Sequence, residues 1–496
     1  MASTSDIPSG RQTIDIATVQ KSLRRKLAKI KAKITSRLGQ FRVRESDSGP
    51  SVSAQSARVA VIVPVFNSMP YLKELLDSLR AQDMDPDLFE VIAVDDGSTD
   101  GGGKLLDAYA TQMPNMRVIH QRNSGWPGQP RNVGIDASRS DYVFFCDSDD
   151  LMGPEALRRM VDFADAHEVD VLAPKLVGIG GRRVAAKLFA STLVDAPLRT
   201  ITGTLSPQKM IRRKLLEEHG IRFPEGKVRL EDGMMLTRCY LASIRNSILA
   251  DYDYYFIRTR QVGSNISSGR VEPEGYTESV ATIARILKEG RLEPAVADQL
   301  VLDLYRRKAL RFYVPARFRA MSSERQRRWV TAHAQFVRDH IPAALEAELS
   351  FPFLQRSRLI RNEDVAGLLQ LATSEELVKA VCRATPLNAD ELELRFILEP
   401  AADFESVRLL AQDRGTKTAC SFLLRQDGPE FILDDPAQKF EQLENVVADL
   451  FVQLEINGLQ GPLRRVEAPA AGTPLEFDGT RIYATVNGNL SIDRRH

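Results

Sequence analysis

Three carboxylates, Asp147, Asp149 and Asp150, stand within four positions directly after an apolar run, in the stretch YVFFCDSDD from Tyr142 to Asp150. Strands that leave a core usually end in Gly, Pro or Asn turns. Negative charge packed this tightly needs a positive partner, because neighbouring carboxylates raise one another's pKa until a cation neutralises them. In DSD, Asp147 and Asp149 fall on the same side if the strand stays extended. A divalent cation with oxygen ligands, Mn2+ or Mg2+, resolves the conflict and commonly completes its shell with substrate phosphates. The bland alternative is a helix cap: Asp150 can cap the helix opened by DDLMGPEALRRM, but that leaves Asp147 and Asp149 without a role. A second acidic pair, Glu231 and Asp232 in LEDGMM, is open to two readings. It is either a pair of first-turn carboxylates favoured by the helix dipole or a positioned base.

The elements that must hold these residues alternate. VAVIVPVFN (Val59 to Asn67) is nearly continuous in apolar character, as in a strand buried on both faces. YLKELLDSLRAQ reads as a helix, FEVIAVDDGSTD as a second strand ending in carboxylates, KLLDAYATQ as a helix and MRVIH as a strand. GQPRNVGIDASR then opens a helix before YVFFCDSDD. Repeated β-α units predict a parallel sheet with right-handed crossovers, and ligands of such sheets bind beyond the carboxyl ends of the strands. VPVFN, VDDGSTD and CDSDD are therefore expected to converge on one cleft.

Around this segment the chain changes character. At 496 residues it is too long for one core. From Val19 to Phe41 an apolar stripe of Leu23, Leu27, Ile30, Ile34, Leu38 and Phe41 lies among Lys and Arg with no acidic residue. This is a basic amphipathic helix suited to an anionic surface, or alternatively packed on its own protein; a Ser, Gly and Pro-containing link follows it. From about Pro273 to Thr373 helical periodicity dominates, with Arg-rich stretches. From about Thr385 short alternating runs such as ELELRFILE and LFVQLEING predict an antiparallel β-sandwich. With 67 basic and 66 acidic residues the net charge is +1, so no global field favours nucleic acid. The four cysteines form no CxxC pair, which argues against zinc and a disulfide framework and for a reducing compartment. No run approaches the roughly 20 apolar residues of a membrane span, and the N-terminus lacks the apolar core of a signal peptide. The expected location is the cytoplasm, with peripheral contact at the inner face of the membrane through residues 19 to 41.

IVPVFN, VDDGSTD, GQPRNVGI, FFCDSDD and LEDGMM, in this order, resemble the family 2 glycosyltransferases of the GT-A fold, over roughly Arg58 to Arg270. Each motif alone is weak; their order makes the match specific. The resemblance implies a Rossmann-like α/β catalytic domain that transfers a sugar from a nucleoside diphosphate donor, usually uridine-linked, with inversion. Carried over residue by residue, Pro64, Val65 and Asn67 line the nucleoside pocket and Asp96 accepts a hydrogen bond from the uracil imide. Arg131 faces the nucleotide or its phosphates. Asp149 is the best metal ligand, with Asp147 beside it on the ribose or the metal's water shell. Asp232 is the general base and Glu231 its neighbour. YYFIRTRQVGSN resembles the family's segment that closes over the donor, and Arg258 and Arg260 in it are placed to clamp phosphates.

SGWPGQPRN, with Trp126 and two prolines, resembles the members that decorate or build polyol-phosphate wall polymers such as teichoic acids. Those members carry a helical linker and C-terminal β modules used for trimer formation. The expected layout is a basic helix and linker at 1 to 57, a GT-A domain at 58 to 270, a helical linker at 271 to 380 and a β-sandwich at 381 to 496. The expected partners are a UDP-sugar donor, a polyanionic or lipid-linked glycan acceptor, and further copies of the chain through the C-terminal domain. A processive membrane synthase is disfavoured: SSERQRRWV falls one residue short of QxxRW. A Rossmann oxidoreductase is disfavoured because GGGK at 101 to 104 lacks GxGxxG spacing. A catalytically dead glycan-binding scaffold and a transferase acting on a glycolipid remain the alternatives.

Overall fold

The computed structural model describes residues 57–260, 269–376, 379–386, 392–399, 406–443, 446–456, 459–468 and 474–495. The basic helix expected at 19 to 41, its link, and the donor-closing segment beyond Arg260 lie outside the described residues. The chain divides into two compact units at Val271/Glu272.

In the first unit, seven strands form one sheet: β1 (Val59–Val65), β2 (Phe89–Asp95), β3 (Met116–His120), β4 (Tyr142–Phe145), β6 (Val171–Pro174), β8 (Met210–Arg212) and β9 (Asn246–Leu249). Their order is β3-β2-β1-β4-β8-β6-β9. Three shorter strands, β5 (Leu151–Met152), β7 (Leu176–Ile179) and β10 (Tyr255–Arg258), form a second sheet with β10 in the middle. All seven residues of β1 are buried, as the unbroken apolar run predicts for a strand covered on both faces. The β-α alternation gives parallel pairing of β1 with β2 and β4, and of β2 with β3. It does not extend through the sheet: β8 runs antiparallel to both β4 and β6. A three-residue strand carries too little pattern to disclose its direction. The chain leaves β1 toward β2 and β3, then returns to β4 on its other side, so the order reverses between β1 and β4. Ligand crevices of open α/β sheets lie at such a reversal, and it is here that VPVFN and CDSDD end side by side. Gly134, in the helix Gly128–Ala137, permits close packing on β1, since a Cβ there would stand 2.3 Å from the Ile62 side chain.

The second unit begins with the helices Pro273–Glu289, Pro294–Lys308, Pro315–Arg319, Ser323–His340, Phe353–Arg361 and Val365–Glu376. Trp329 is fully buried among them and stacks on Phe312, with ring centroids 3.8 Å apart. Ten strands follow: β11 (Lys379–Pro386), β12 (Leu392–Glu399), β13 (Ser406–Asp413), β14 (Ala419–Asp427), β15 (Glu430–Leu433), β16 (Val447–Ile456), β17 (Leu459–Glu467), β18 (Leu475–Phe477), β19 (Thr480–Ala484) and β20 (Leu490–Asp493). The alternating runs do form half-buried strands; β12 alternates inward and outward along its length. Two layers face one core around Phe396, Leu409 and Leu450. Pairing of β13 with β16 closes β13-β14-β15-β12-β11-β17-β16 into a ring, so the layers are joined at both edges. The pairing of β11 with β17 is parallel, a departure from a purely antiparallel sandwich. Alternation shows which face is buried but not which strand lies alongside.

Candidate active site

The turn after β4 separates the aspartates. The strand ends at Phe145, and the Asp150 N–H donates to the Asp147 carbonyl at 3.2 Å, so the extended DSD on which a shared side depended is not formed. Asp147 accepts from Arg131 Nη2 at 2.9 Å and from Gln208 Nε2 at 2.7 Å, and its own N–H donates to the Tyr255 hydroxyl at 2.8 Å. Asp149 faces Arg260, whose Nε lies 2.6 Å from its carboxylate. Asp150 is buried and accepts from the Arg258 N–H at 2.7 Å. It therefore fixes the turn to β10 and does not cap the helix Ala156–Ala166, whose N-cap residue is Glu155. Burial pushes the Asp149 carboxyl upward, with Arg260 opposing and Asp147 adding to the rise. Burial and the charges of Asp147 and Asp149 hold Asp150 well above the usual carboxylate range.

Arg131 is the centre of the cluster. Its guanidinium is buried and meets three carboxylates: Asp232 at 2.6 Å, Asp147 at 2.9 Å and Glu231 at 3.5 Å. It ties the strand-end aspartate to the acidic pair. Burial disfavours its charge, but Asp232, Asp147 and Glu231 together raise its pKa. The rest of the PRN motif serves the same junction. Asn132 donates to the Phe223 carbonyl and accepts from the Phe223 N–H, both at 2.9 Å, and a Cβ on Gly128 would stand 2.2 Å from the Pro224 carbonyl oxygen. The motif thus clamps the segment that leads into the helix Glu231–Ala242. Leu230, just before that helix, holds a φ of +58°, a left-handed conformation costly for a side-chain-bearing residue. Asp232 keeps 24% of its side chain exposed beside Arg131. Burial raises its carboxyl well above the usual range, Arg131 opposes this, and Glu231 and Asp147 reinforce it.

The residues expected on the nucleoside side stand at the ends of β1 and β2. Pro64 and Val65 are buried within β1, while Phe66 just beyond them is 45% exposed. Asn67 accepts from the Thr99 N–H at 2.8 Å and so joins the ends of β1 and β2. Asp96 already accepts from Gln121 Nε2 at 2.6 Å, from the Ser124 N–H at 3.0 Å and from the Ser124 hydroxyl at 2.8 Å. It holds the loop before Trp126. Arg258 is turned to Glu74, 3.1 Å away, and its guanidinium lies over the Tyr71 ring. Of the two expected clamps, only Arg260 reaches the turn after β4; it also donates to the Asn67 carbonyl at 3.3 Å.

Four further residues brace the site, and two of them, Gln208 and Lys209, lie in none of the motifs. Gln208 and Tyr255 hold Asp147, and Ser124 holds Asp96. Lys209 is fully buried and donates to the Thr204 hydroxyl at 3.1 Å and the Ser206 carbonyl at 2.9 Å, bracing the loop that presents Gln208. Burial lowers its pKa to about 7, with Asp232 opposing. Tyr255 and Ser124 lie in YYFIRTRQVGSN and SGWPGQPRN with no role assigned there, whereas Gln208 and Lys209 belong to no run of recognisable spacing; a lysine in an otherwise ordinary loop gives no sign of burial. No group of three or more His, Cys, Asp or Glu side chains suited to a metal occurs among the described residues. A cation that draws most of its ligands from substrate phosphates and water needs only one or two carboxylates. Asp149, buried beside a second carboxylate and neutralised by one arginine, fits that demand.

The family model Glycosyl transferase family 2 matches residues 60–224, and that for the Glycosyl transferase TarS linker domain matches residues 273–372. A poly(ribitol-phosphate) beta-glucosyltransferase of Bacillus spizizenii is 33% identical over 350 residues, covering 68% of this chain and 53% of that protein. The chain thus spans about half the length of that curated relative. The crystal structure of S. aureus TarS aligns with a TM-score of 0.57 at 25% identity, over 88% of this chain and 85% of that one. That of TarS 1–349 in complex with UDP-GlcNAc aligns at 0.60 and 30% identity, over 70% of this chain and 98% of that one. The chain belongs to glycosyl transferase family 2.

Proposed function

We propose that the chain is an inverting, metal-dependent glycosyltransferase that moves a sugar from a UDP-sugar to a hydroxyl of a poly(ribitol phosphate)-like envelope polymer. The observation that carries this reading is the buried Arg131 guanidinium, which holds Asp232 in the same cleft as the aspartates at the switch point between β1 and β4. The donor and acceptor classes are supported by the names of relatives: poly(ribitol-phosphate) transferases, and a TarS structure in complex with UDP-GlcNAc. In the proposed reaction the acceptor hydroxyl gives its proton to an Asp232 Oδ as its oxygen bonds to the sugar C1. The C1–O bond to the diphosphate breaks, and its electron pair leaves on the phosphate oxygen. One displacement inverts the centre, so one base suffices. Asp149, with Asp147 near it, would hold Mn2+ or Mg2+, which offsets the charge that grows on the departing diphosphate. Arg260 would exchange Asp149 for the diphosphate when the donor enters.

The direct test is to incubate the purified chain with UDP-GlcNAc or UDP-glucose and poly(ribitol phosphate), with and without Mn2+. Metal-dependent UDP release coupled to sugar on the polymer is expected. No turnover with any donor would make the protein a glycan-binding scaffold, and turnover only with glycolipid acceptors would move the acceptor class.

Asp149→Asn is expected to abolish the metal dependence of donor binding in calorimetry. Its melting temperature should move little, since Arg260 keeps its bonds to Asn67 and Ser68. Unchanged metal-dependent binding in the variant would remove Asp149 from the metal site.

No helix among the described residues is long and apolar enough to cross a membrane. For residues 19 to 41 the proposal remains peripheral contact with an anionic surface, each Lys or Arg contributing on the order of 1 kcal/mol. Deleting residues 1 to 57 should then weaken co-sedimentation with anionic vesicles at low salt and leave transfer to a short soluble acceptor intact. Equal, salt-insensitive sedimentation of both forms would return the segment to protein packing.

A further inference from the structure

In the second unit, two arginines share one aromatic ring and meet no carboxylate among the described residues. The turn Leu310–Tyr313 and the helix Pro315–Arg319 bring Arg311 and Arg317 to the same ring, that of Phe312, with guanidinium carbons 5.8 Å and 4.1 Å from its centroid. Both side chains are exposed, and neither meets a carboxylate among the described residues. Partial burial and the nearby charges of Arg311 and Arg325 press the Arg317 pKa below its ordinary value. The neighbouring arginines are compensated. Arg328 contacts Glu272 at 2.9 Å and Glu274 at 2.7 Å, and Arg325 lies 4.0 Å from Glu272. Like charges do not gather on an exposed face by attraction to each other, and here the holding force is the ring. Phe312 is 2% exposed and stacked on the fully buried Trp329, so it forms a fixed floor. A guanidinium lying flat on an aromatic face keeps its N–H edges free for an anion.

We propose that Arg311 and Arg317, held on the Phe312 ring, form a docking site for phosphodiester groups of the anionic acceptor polymer. This rests on the reading of the acceptor as a polyol phosphate. One guanidinium 4.1 Å from the ring centroid and a second 5.8 Å from it offer paired N–H donors that suit the oxygens of a phosphodiester. The ring itself is covered and Val314, 47% exposed, is the single large apolar side chain exposed between the two arginines, too little apolar area for insertion into lipid, so a bilayer is the poorer match. The site would act by retaining a long chain near the enzyme between transfers, and a short acceptor would gain nothing from it.

The test uses the full chain carrying R311Q and R317Q together, with R327Q as a control that removes an exposed charge outside the cluster. The probes are long-chain inorganic polyphosphate, orthophosphate and phosphatidylglycerol vesicles, each at low and moderate salt. The double variant is expected to bind polyphosphate about tenfold more weakly, with a shallower salt dependence, while R327Q binds like the parent. The KM for long polymer should rise by about the same factor, with turnover of a short ribitol phosphate acceptor unchanged. Equal polyphosphate binding in parent and double variant, an equal loss in R327Q, or a loss confined to vesicles would overturn the proposal. Should the double variant melt at a lower temperature, R311Q alone decides: it leaves the closer Arg317 stack in place, and a loss of about threefold is expected, whereas parent-like binding counts against the site. Polyphosphate binding requires no donor. Absence of sugar transfer would therefore refute the enzymatic reading separately, and unaltered polyphosphate binding in an active enzyme would refute only this one.

Discussion

Asp232→Asn is expected to lower the transfer rate by about 10² to 10⁴ with donor affinity retained. Asparagine keeps the volume and still accepts from Arg131 through its amide oxygen, so the helix Glu231–Ala242 should keep its place. It lacks the basic oxygen that takes the acceptor proton. The pH profile supplies a second readout. Because burial and neighbouring carboxylates raise the Asp232 pKa, the ionised base is lost at a higher pH than an ordinary carboxylate. Activity of the parent should rise with pH on a limb displaced upward from the usual carboxylate range, since only the deprotonated form accepts a proton. Donor binding lost in parallel with rate would make Asp232 a binding residue. A rate within a few-fold of the parent would place the base elsewhere.

Arg131 carries the second large effect, which combines stability and rate. Arg131→Met leaves Asp147, Asp232 and Glu231 without the cation between them. Breaking a fully buried ion pair commonly costs 3–5 kcal/mol. Here Asp147 and Asp232 keep 32% and 24% of their side chains exposed and can draw in water, so about 1–3 kcal/mol is the better expectation. Asp232, no longer held as an anion, should then have its pKa raised further, moving the ascending limb to higher pH and lowering the rate at neutrality by about 10-fold or more. Arg131→Lys should rescue folding better than rate, because one ammonium cannot bridge Asp232 and Asp147 as a planar fork does. Thermal melts and pH–rate profiles of both variants decide it. A parent-like profile in Arg131→Met would reduce this arginine to a packing role.

The order of elements and the strand ends that come together could be read in the sequence, for a local reason. An apolar run such as VAVIVPV reports burial on both faces, strand-helix alternation reports β-α units, and carboxylates at strand ends mark where a sheet of this kind binds ligands. The second unit's helical and β halves were legible from periodicity in the same way. Partners were not. Arg131 reaches Asp147 across 16 residues and Asp232 across 101, Gln208 reaches Asp147 across 61, and Arg260 reaches Asp149 across 111. Spacing within a motif carries no information about contacts at such range, which follow from strand order and loop closure. The tertiary structure alone decided that the DSD stretch turns, that Asp96 holds Ser124, that Arg258 faces Glu74, and that β8 runs against its neighbours. It also decided that Lys209 is buried and that β13 closes on β16. Residue type and period thus determined which chemistry the chain brings to the sheet edge. The packing of distant segments determined which charge neutralises which, because a buried charge is stable only beside the partner that the fold delivers.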